Sequence, residues 1–257
     1  MRCPSLVPAL LFFSVVWVAT AHGQTPTPSA VTRDPQAVLL LTQCAATMGG
    51  PLIQDTYAEG SVVSAKYPNA TGAIISQSKG PNVRNDIADT SGTSTYVANA
   101  NGASRTLNGT KANLPYQASA YPRPEYVPAL ACVIDLTRPY MSVSYVGVEQ
   151  VSGRPAYHIQ FNAMLPDDKD NSEKAISEFH VFLDQQTFLV VKTQVWAFAP
   201  DNITNRSIWE TYYDTYRNVN GALMPFHVTS YLAGMKVQEI TFTLVRVNVG
   251  VSDSQFN

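Results

Sequence analysis

From Tyr57 onward, apolar residues recur at every second position. Tyr157, Ile159 and Phe161 alternate with His158, Gln160 and Asn162, and Phe179, Val181 and Leu183 repeat the pattern. Successive side chains leave a strand on opposite sides, so this period predicts strands with one apolar face and one that is wet or lines something polar. Turn residues interrupt the runs at short intervals, most clearly at Ser152-Gly153, Asp184-Gln185-Gln186, Asn220-Gly221 and Ala233-Gly234. Such turns join antiparallel neighbours, so few architectures other than an antiparallel meander are open to the chain. Near the end Ile240, Phe242 and Leu244 share a face, whereas Val245, Val247 and Val249 continue on the opposite phase. The slip predicts a bulge around Leu244 that bends the sheet toward barrel closure. The tract from Thr90 to Thr110 is rich in Gly, Ser, Asn and Thr, yet Thr95-Tyr96-Val97 and Arg105-Thr106-Leu107 flank Asn101-Gly102 as the strands of a long exposed hairpin would.

Two segments break the period. Asp34 followed by Pro35 reads as an N-cap and first-turn proline; Ala37, Val38, Leu41, Cys44, Ala45 and Met48 follow at helical spacing until Gly49-Gly50-Pro51 ends the run. Between Pro122 and Pro139 a second short helix is expected, with Val127, Leu130, Ala131 and Ile134 as its stripe and Cys132 one step off it. Helices before and within a run of antiparallel strands give an α+β chain whose sheet can be capped on one face.

The first 23 residues read as a secretory signal: Arg2 is the positive n-region, Leu6 to Ala19 the apolar h-region, and small residues allow cleavage after Ala21 or Gly23. Residues 24–33 form a polar leader, and 34–257 suit one domain. Export to the periplasm or beyond is expected, with no membrane span left after cleavage. Two cysteines then remain, Cys44 and Cys132, 88 positions apart. In an oxidising compartment a disulfide between them is the economical reading, two buried thiols the other. A formal charge of -2 with no basic stripe argues against nucleic acid and anionic lipid surfaces as partners. Asn69, Asn108, Asn202 and Asn205 each begin an Asn-x-Ser/Thr triplet, in agreement with exposed loops.

Catalytic motifs are missing. No serine has the Gly-x-Ser-x-Gly context, and neither His-Glu-x-x-His nor Cys-x-x-Cys occurs. His158, His180 and His227 fall on expected strands and read as sheet-surface histidines rather than metal ligands. The run Asp167 to Glu173 imitates a calcium loop, but Glu173 stands where glycine is wanted and Phe179 where a bidentate Glu is needed. No catalytic residue, metal or other cofactor is implied.

One series of residues resembles a family. Val146-Gly147, Gly153-Arg154-Pro155-Ala156-Tyr157, Phe182-Leu183-Asp184 with Thr187-Phe188-Leu189, Tyr213-Asp214-Thr215-Tyr216, Asn220-Gly221 with Pro225, and Asn248, Asp253 and Phe256 are similar to exported bacterial proteins related to the lipoprotein carrier LolA and its LppX and RseB relatives. The resemblance implies an unclosed half-barrel wrapped around a helical lid, with an apolar cavity that in the carriers accepts acyl chains. It also implies a basic residue of an early strand against the lid; Arg84 is the nearest here, in a context that departs from the family's pattern. The expected function is a non-catalytic exported carrier of a lipid or other apolar ligand, with Ile159, Phe161, Phe179, Val181, Ile240 and Phe242 as cavity residues. Two alternatives are an RseB-like sensor engaging a membrane-anchored protein partner, and an exported hydrolase betrayed by a perturbed histidine or carboxylate in a cleft.

Overall fold

A computed structural model describes residues 30–257, so the signal and most of the polar leader lie outside the described residues. Strands β1 (Asp55–Ser64), β2 (Thr71–Lys79), β3 (Asn82–Asp89), β4 (Gly92–Asn99), β5 (Gly102–Leu107) and β6 (Thr110–Asn113) form one run of hairpins. A second run comprises β7 (Met141–Val151), β8 (Arg154–Ala163), β9 (Phe179–Asp184), β10 (Val190–Ala199), β11 (Asn202–Val219), β12 (Ala222–Leu232) and β13 (Met235–Val247). Antiparallel pairing of β1 with β13 welds the runs into a single sheet, ordered β6-β5-β4-β3-β2-β1-β13-β12-β11-β10-β9-β8-β7. The sheet does not close, because β6 and β7 stand at its two edges.

The local signals account for this meander. Ser152-Gly153, Asn220-Gly221 and Ala233-Gly234 all hold positive φ at both positions, the geometry whose twist matches tight hairpins. The Asp184 carboxylate accepts from Gln186 N, Thr187 N and Thr187 Oγ1 to shape its own turn. The phase slip in β13 is a bulge: Glu59 faces Leu244 and Gly60 faces Phe242, leaving Thr243 unmatched. Gly60 is required there, since a Cβ would fall 2.3 Å from Thr241 O. Burial follows the slip, from Ile240 and Phe242 to Val245 and Val247.

Helix α1 (Pro35–Met48) has the predicted caps: Asp34 Oδ1 accepts from Gln36 N at 2.8 Å and Ala37 N at 3.3 Å, and Gly49 ends the helix at φ +68°. Gly49 is also a point of close approach, where any side chain would strike Gly221 O of the β11–β12 turn. Helix α2 (Pro128–Thr137) is shorter than the interval between Pro122 and Pro139. Its buried face includes Cys132 and Asp135, whereas Ile134 is only partly covered. A six-residue helix α3 (Ser172–Ser177) follows the acidic run, and Asp168 caps it by accepting from Glu173 N and Lys174 N.

Because β6 and β7 are opposite edges, the chain between Asn113 and Met141 must cross the full inner face. Together α2 and the crossing segment form one half of a lid; α1 forms the other, packing against α2, β7 and β12. Residues 32–34 bond edge strand β7 through Thr32 O, Asp34 N and Val143, which blunts that edge. Beneath the lid lies one contiguous core containing Leu41, Met48, Leu130, Met141, Val143 and Val228 along with the inner faces of β8, β9 and β13. Each large apolar side chain so buried contributes about 1.5–3 kcal/mol. Cys44 and Cys132 sit in this core as free thiols, so the expected disulfide is not formed in this structure. They pack there as small apolar groups, Cys44 Sγ 3.6 Å from Met48 Sδ. Burial pushes the Cys44 thiol up to about 12 and Cys132 well above its ordinary value, so neither is poised as a thiolate.

Candidate functional site

All six residues expected to line a cavity point to the inner face and join the same core. Ile159, Phe161, Val181 and Ile240 are fully buried and Phe242 nearly so, packed beneath the helices; among the six, Phe179 alone borders open space. That space is a cleft of about 170 Å³ where the crossing segment meets the sheet. Its walls come from β4 (Tyr96), the crossing segment (Tyr121, Arg123, Glu125), and β9 to β11 (Phe179, Val195, Trp209, Tyr213). Tyr96 and Trp209 reach one cleft from strands far apart in the sheet order because the sheet curls. A larger groove of about 720 Å³ lies over β4 to β6, but it is open and walled mostly by Asn, Ser, Ala and Gly, with Val97, Leu114 and Tyr116 beside them and an exposed Lys111 as its one charged side chain.

Polar bonds from the crossing segment hold the cleft's roof. Arg123 Nε lies 2.6 Å from Asp135 Oδ2, its NH2 donates to Ser177 O at 3.0 Å, and its guanidinium stacks 4.5 Å over the Phe179 ring. Arg138 takes the other oxygen of fully buried Asp135, at 2.8 Å. Tyr213 OH donates to the backbone oxygen of Glu125 at 2.8 Å. The Glu125 carboxylate accepts at Oε1 from Thr211 Oγ1 at 2.8 Å, Trp209 Nε1 at 3.0 Å and more weakly Ser230 Oγ. Burial raises the Glu125 carboxyl above the usual carboxylate range, and the bonds from Thr211, Trp209 and Ser230 pull it back only in part. Arg84, by contrast, stays on the outer face, paired with Asp86 and donating to Gln255 O, away from the lid. The guanidiniums that bond α2 and its C-terminal end are instead those of Arg123 and Arg138, on Asp135, and of Arg33, on Leu136 O and Arg138 O.

Sequence reasoning missed Arg123, Glu125, Trp209 and Tyr96, which are brought together from three separate stretches. One signal was available: Pro122-Arg123-Pro124-Glu125 sets two charges between prolines immediately before an apolar helix. Tyr213 lay in the Tyr213-Asp214-Thr215-Tyr216 series. Thr215, at φ +54°, kinks β11 without shifting its register against β12, and Tyr213 and Tyr216 both pack against the core despite their spacing of three.

The outer face of the same strands carries a second polar group. Glu149 Oε1 lies 2.6 Å from His158 Nδ1, His158 Nε2 lies 2.7 Å from His180 Nδ1, and His180 Nε2 lies 2.9 Å from Glu178 Oε1. Glu178 Oε1 also accepts from Trp196 Nε1 at 2.8 Å. Two neutral imidazoles carry two N–H groups, so filling all three contacts requires one imidazolium shared by the pair. Burial opposes that charge and holds His158 below the usual histidine range; Glu149 pulls the other way. His158 and His180 are thus a buried bonded pair, more than sheet-surface histidines, and His227 is apart from them on β12, between Asp214 and Glu239. The described residues contain no cluster of three or more His, Cys, Asp or Glu placed to hold a metal ion.

The fold is shared with solved structures. A LolA superfamily protein from Nitrosomonas europaea superposes with a TM-score of 0.56 over 89% of this chain and 98% of its own, at 12% identity. The fold is that of the LolA superfamily. An outer membrane lipoprotein-sorting protein domain from Vibrio parahaemolyticus (TM-score 0.54, 12% identity, 86% and 96% covered) and a DUF1329 family protein from Desulfovibrio piger (0.53, 13%, 86% and 97%) have the same LolA-like arrangement. No protein-family model matches the chain, and no curated protein matches it in sequence. Identities this low carry the fold and nothing finer. Among the described residues no helix is long and apolar enough to cross a membrane.

Proposed function

We propose that the chain is an exported, non-catalytic binding protein that holds an apolar or amphiphilic ligand in the cleft between the crossing segment and the inner face. The observation that carries this reading is the cleft itself: a concave site walled by Tyr96, Tyr121, Phe179, Val195, Trp209 and Tyr213, with a few fixed polar groups. The LolA-like fold of an open sheet under a helical lid supports it, as does a signal-like N-terminus. Glu125 is a perturbed carboxylate in a cleft, the feature a hydrolase would show. Two hydroxyls, of Thr211 and Ser230, bond it, but the neighbouring carboxylate, Asp135, is locked between two guanidiniums and no histidine or cysteine lines the cleft to work with it.

The test uses the protein lacking residues 1–23, with Trp196→Phe so that Trp209 is the one indole left. Native mass spectrometry and organic extraction are expected to recover a bound amphiphile, and delipidated protein is expected to change its Trp209 emission on titration with a short alkyl amphiphile. A protein that is empty as purified and whose emission does not respond would overturn the carrier reading; a membrane-anchored partner recovered by such a protein would favour the sensor instead.

A further inference from the structure

Glu125 stands out by what it lacks. Every hydrogen bond to its carboxylate falls on Oε1, while Oε2 accepts from no protein group and is not sealed from solvent. Among the described residues Glu125 makes no ion pair, although it lines an aromatic cleft where an uncompensated carboxylate is costly. The cations nearby are committed elsewhere. Arg123 is bonded to Asp135 and Ser177 and stacked on Phe179, and Arg138 shares Asp135. The other acid close to the roof, Glu173, accepts from Tyr121 OH at 2.7 Å. The cleft therefore presents one open carboxylate oxygen and the rings of Tyr96, Tyr121, Trp209 and Tyr213, whose electron-rich faces attract cations. Its volume, about 170 Å³, is close to that of a cavity that holds a single benzene ring (about 150 Å³), so it accommodates a head group rather than a long chain.

We infer that the missing counter-ion arrives with the ligand: the cleft recognises a cationic amine head group, primary to quaternary, set between Glu125 Oε2 and the aromatic walls. This rests on the proposed binding function and names the chemical class of its ligand. Cation binding would restore the full charge of Glu125, so the complex forms with release of whatever fraction of a proton the free site carries.

The experiment titrates hexyltrimethylammonium, hexanol and hexanoate into the mature Trp196→Phe protein by calorimetry and Trp209 emission. The ammonium is expected to bind at least about tenfold tighter than either of the others, and Glu125→Gln, which keeps the Oε1 acceptor, to remove the preference. Three probes binding alike would overturn the head-group inference and leave the binding function standing; no response to any of them would count against the binding function itself. A second measurement needs no variant. Ammonium affinity in the wild type is expected to fall as pH drops through the raised Glu125 range, with proton release that scales with buffer ionisation enthalpy. A pH-independent affinity without proton release would overturn the inference.

Discussion

The inner face of the sheet is built of two chemistries. Across β7 to β13 it carries Ile159, Phe161, Phe179, Val181, Ile240 and Phe242, and the helices cover most of it, leaving Phe179 at the edge of the cleft. Across β2 to β4 it mixes the apolar Ile74 and Val83 with Ser76, Ser78, Asn85, Tyr96 and Ala98, whose polar groups bond locally, as in Ser76 Oγ to Asn85 Oδ1 at 2.8 Å and Ser78 Oγ with Thr56 Oγ1 of β1 at 2.7 Å. The apolar faces of α1 and α2 pack chiefly on the first half, and the second half, with fewer large apolar side chains, gives a helix less surface to bury. Open volume is left at the boundary between them, which is where the cleft lies. The β2–β6 wing is stabilised instead from its outer face, where Phe256 and Val251 of the C-terminal turn pack on Val97.

This contrast can be broken at matched points. The largest effect is expected at the ion pairs. Asp135→Ala leaves the largely buried Arg123 and Arg138 without their counter-ion and should cost about 3–5 kcal/mol, whereas Asp86→Ala, in the wing's half-exposed Arg84 pair, should cost less than about 1 kcal/mol. Urea midpoints of the two variants check this, and equal losses would mean that the halves are equally sealed. Next come the apolar anchors. Phe161→Ala under the helices should lose about 3–5 kcal/mol, and Val97→Ala in the wing about 1.5 kcal/mol; a wing loss as large as the core loss would show that the wing's outer cluster carries the fold.

The smallest effect is expected from pH and sets two histidine sites against each other. Burial lowers His227, but its bonds to Asp214 and Glu239 outweigh that and hold it above the usual histidine range. Its contribution is therefore complete below the unfolded histidine pKa of about 6.5 and is lost as pH rises through the higher folded value. His158 is lowered, chiefly by burial, so the unfolded chain takes its proton first and stability falls as pH drops from about 6.5 toward the lower folded value. Replacing His227 with Gln should remove less than about 1 kcal/mol, and only on the acid side; replacing His158 with Phe, which keeps the stack on Phe182, should flatten the acid loss. Stability curves that do not change shape in either variant would remove both assignments.

Much of the fold was legible because its signals are local. The caps at Asp34 and Gly49, the Ser152-Gly153 and Asn220-Gly221 turns and the phase slip near Leu244 are each written in a few adjacent residues, and each appears where the sequence put it. Inward-facing residues were legible too, since period two separates faces; period does not say whether an inward residue meets a helix or a void. Hence Phe161 and Phe179 read alike, and only one of them borders the cleft. Cys44 was placed on the buried side of its helix, whereas Cys132, read as one step off its stripe, is buried as well, and whether the two bond depends on geometry between two helices that no spacing encodes.

By itself, then, the sequence determined the strands, their turns, the two lid helices and an aromatic inner face, because period, caps and turn chemistry act over a few residues. The tertiary structure decided the rest. Joining β1 to β13 put β6 and β7 at opposite edges, which forced residues 114–140 across the sheet and carried Arg123 and Glu125 over Trp209 and Tyr96. A carboxylate's partners lie 84 and more residues away along the chain, and only the closed-over path of the backbone brings them within hydrogen-bond reach.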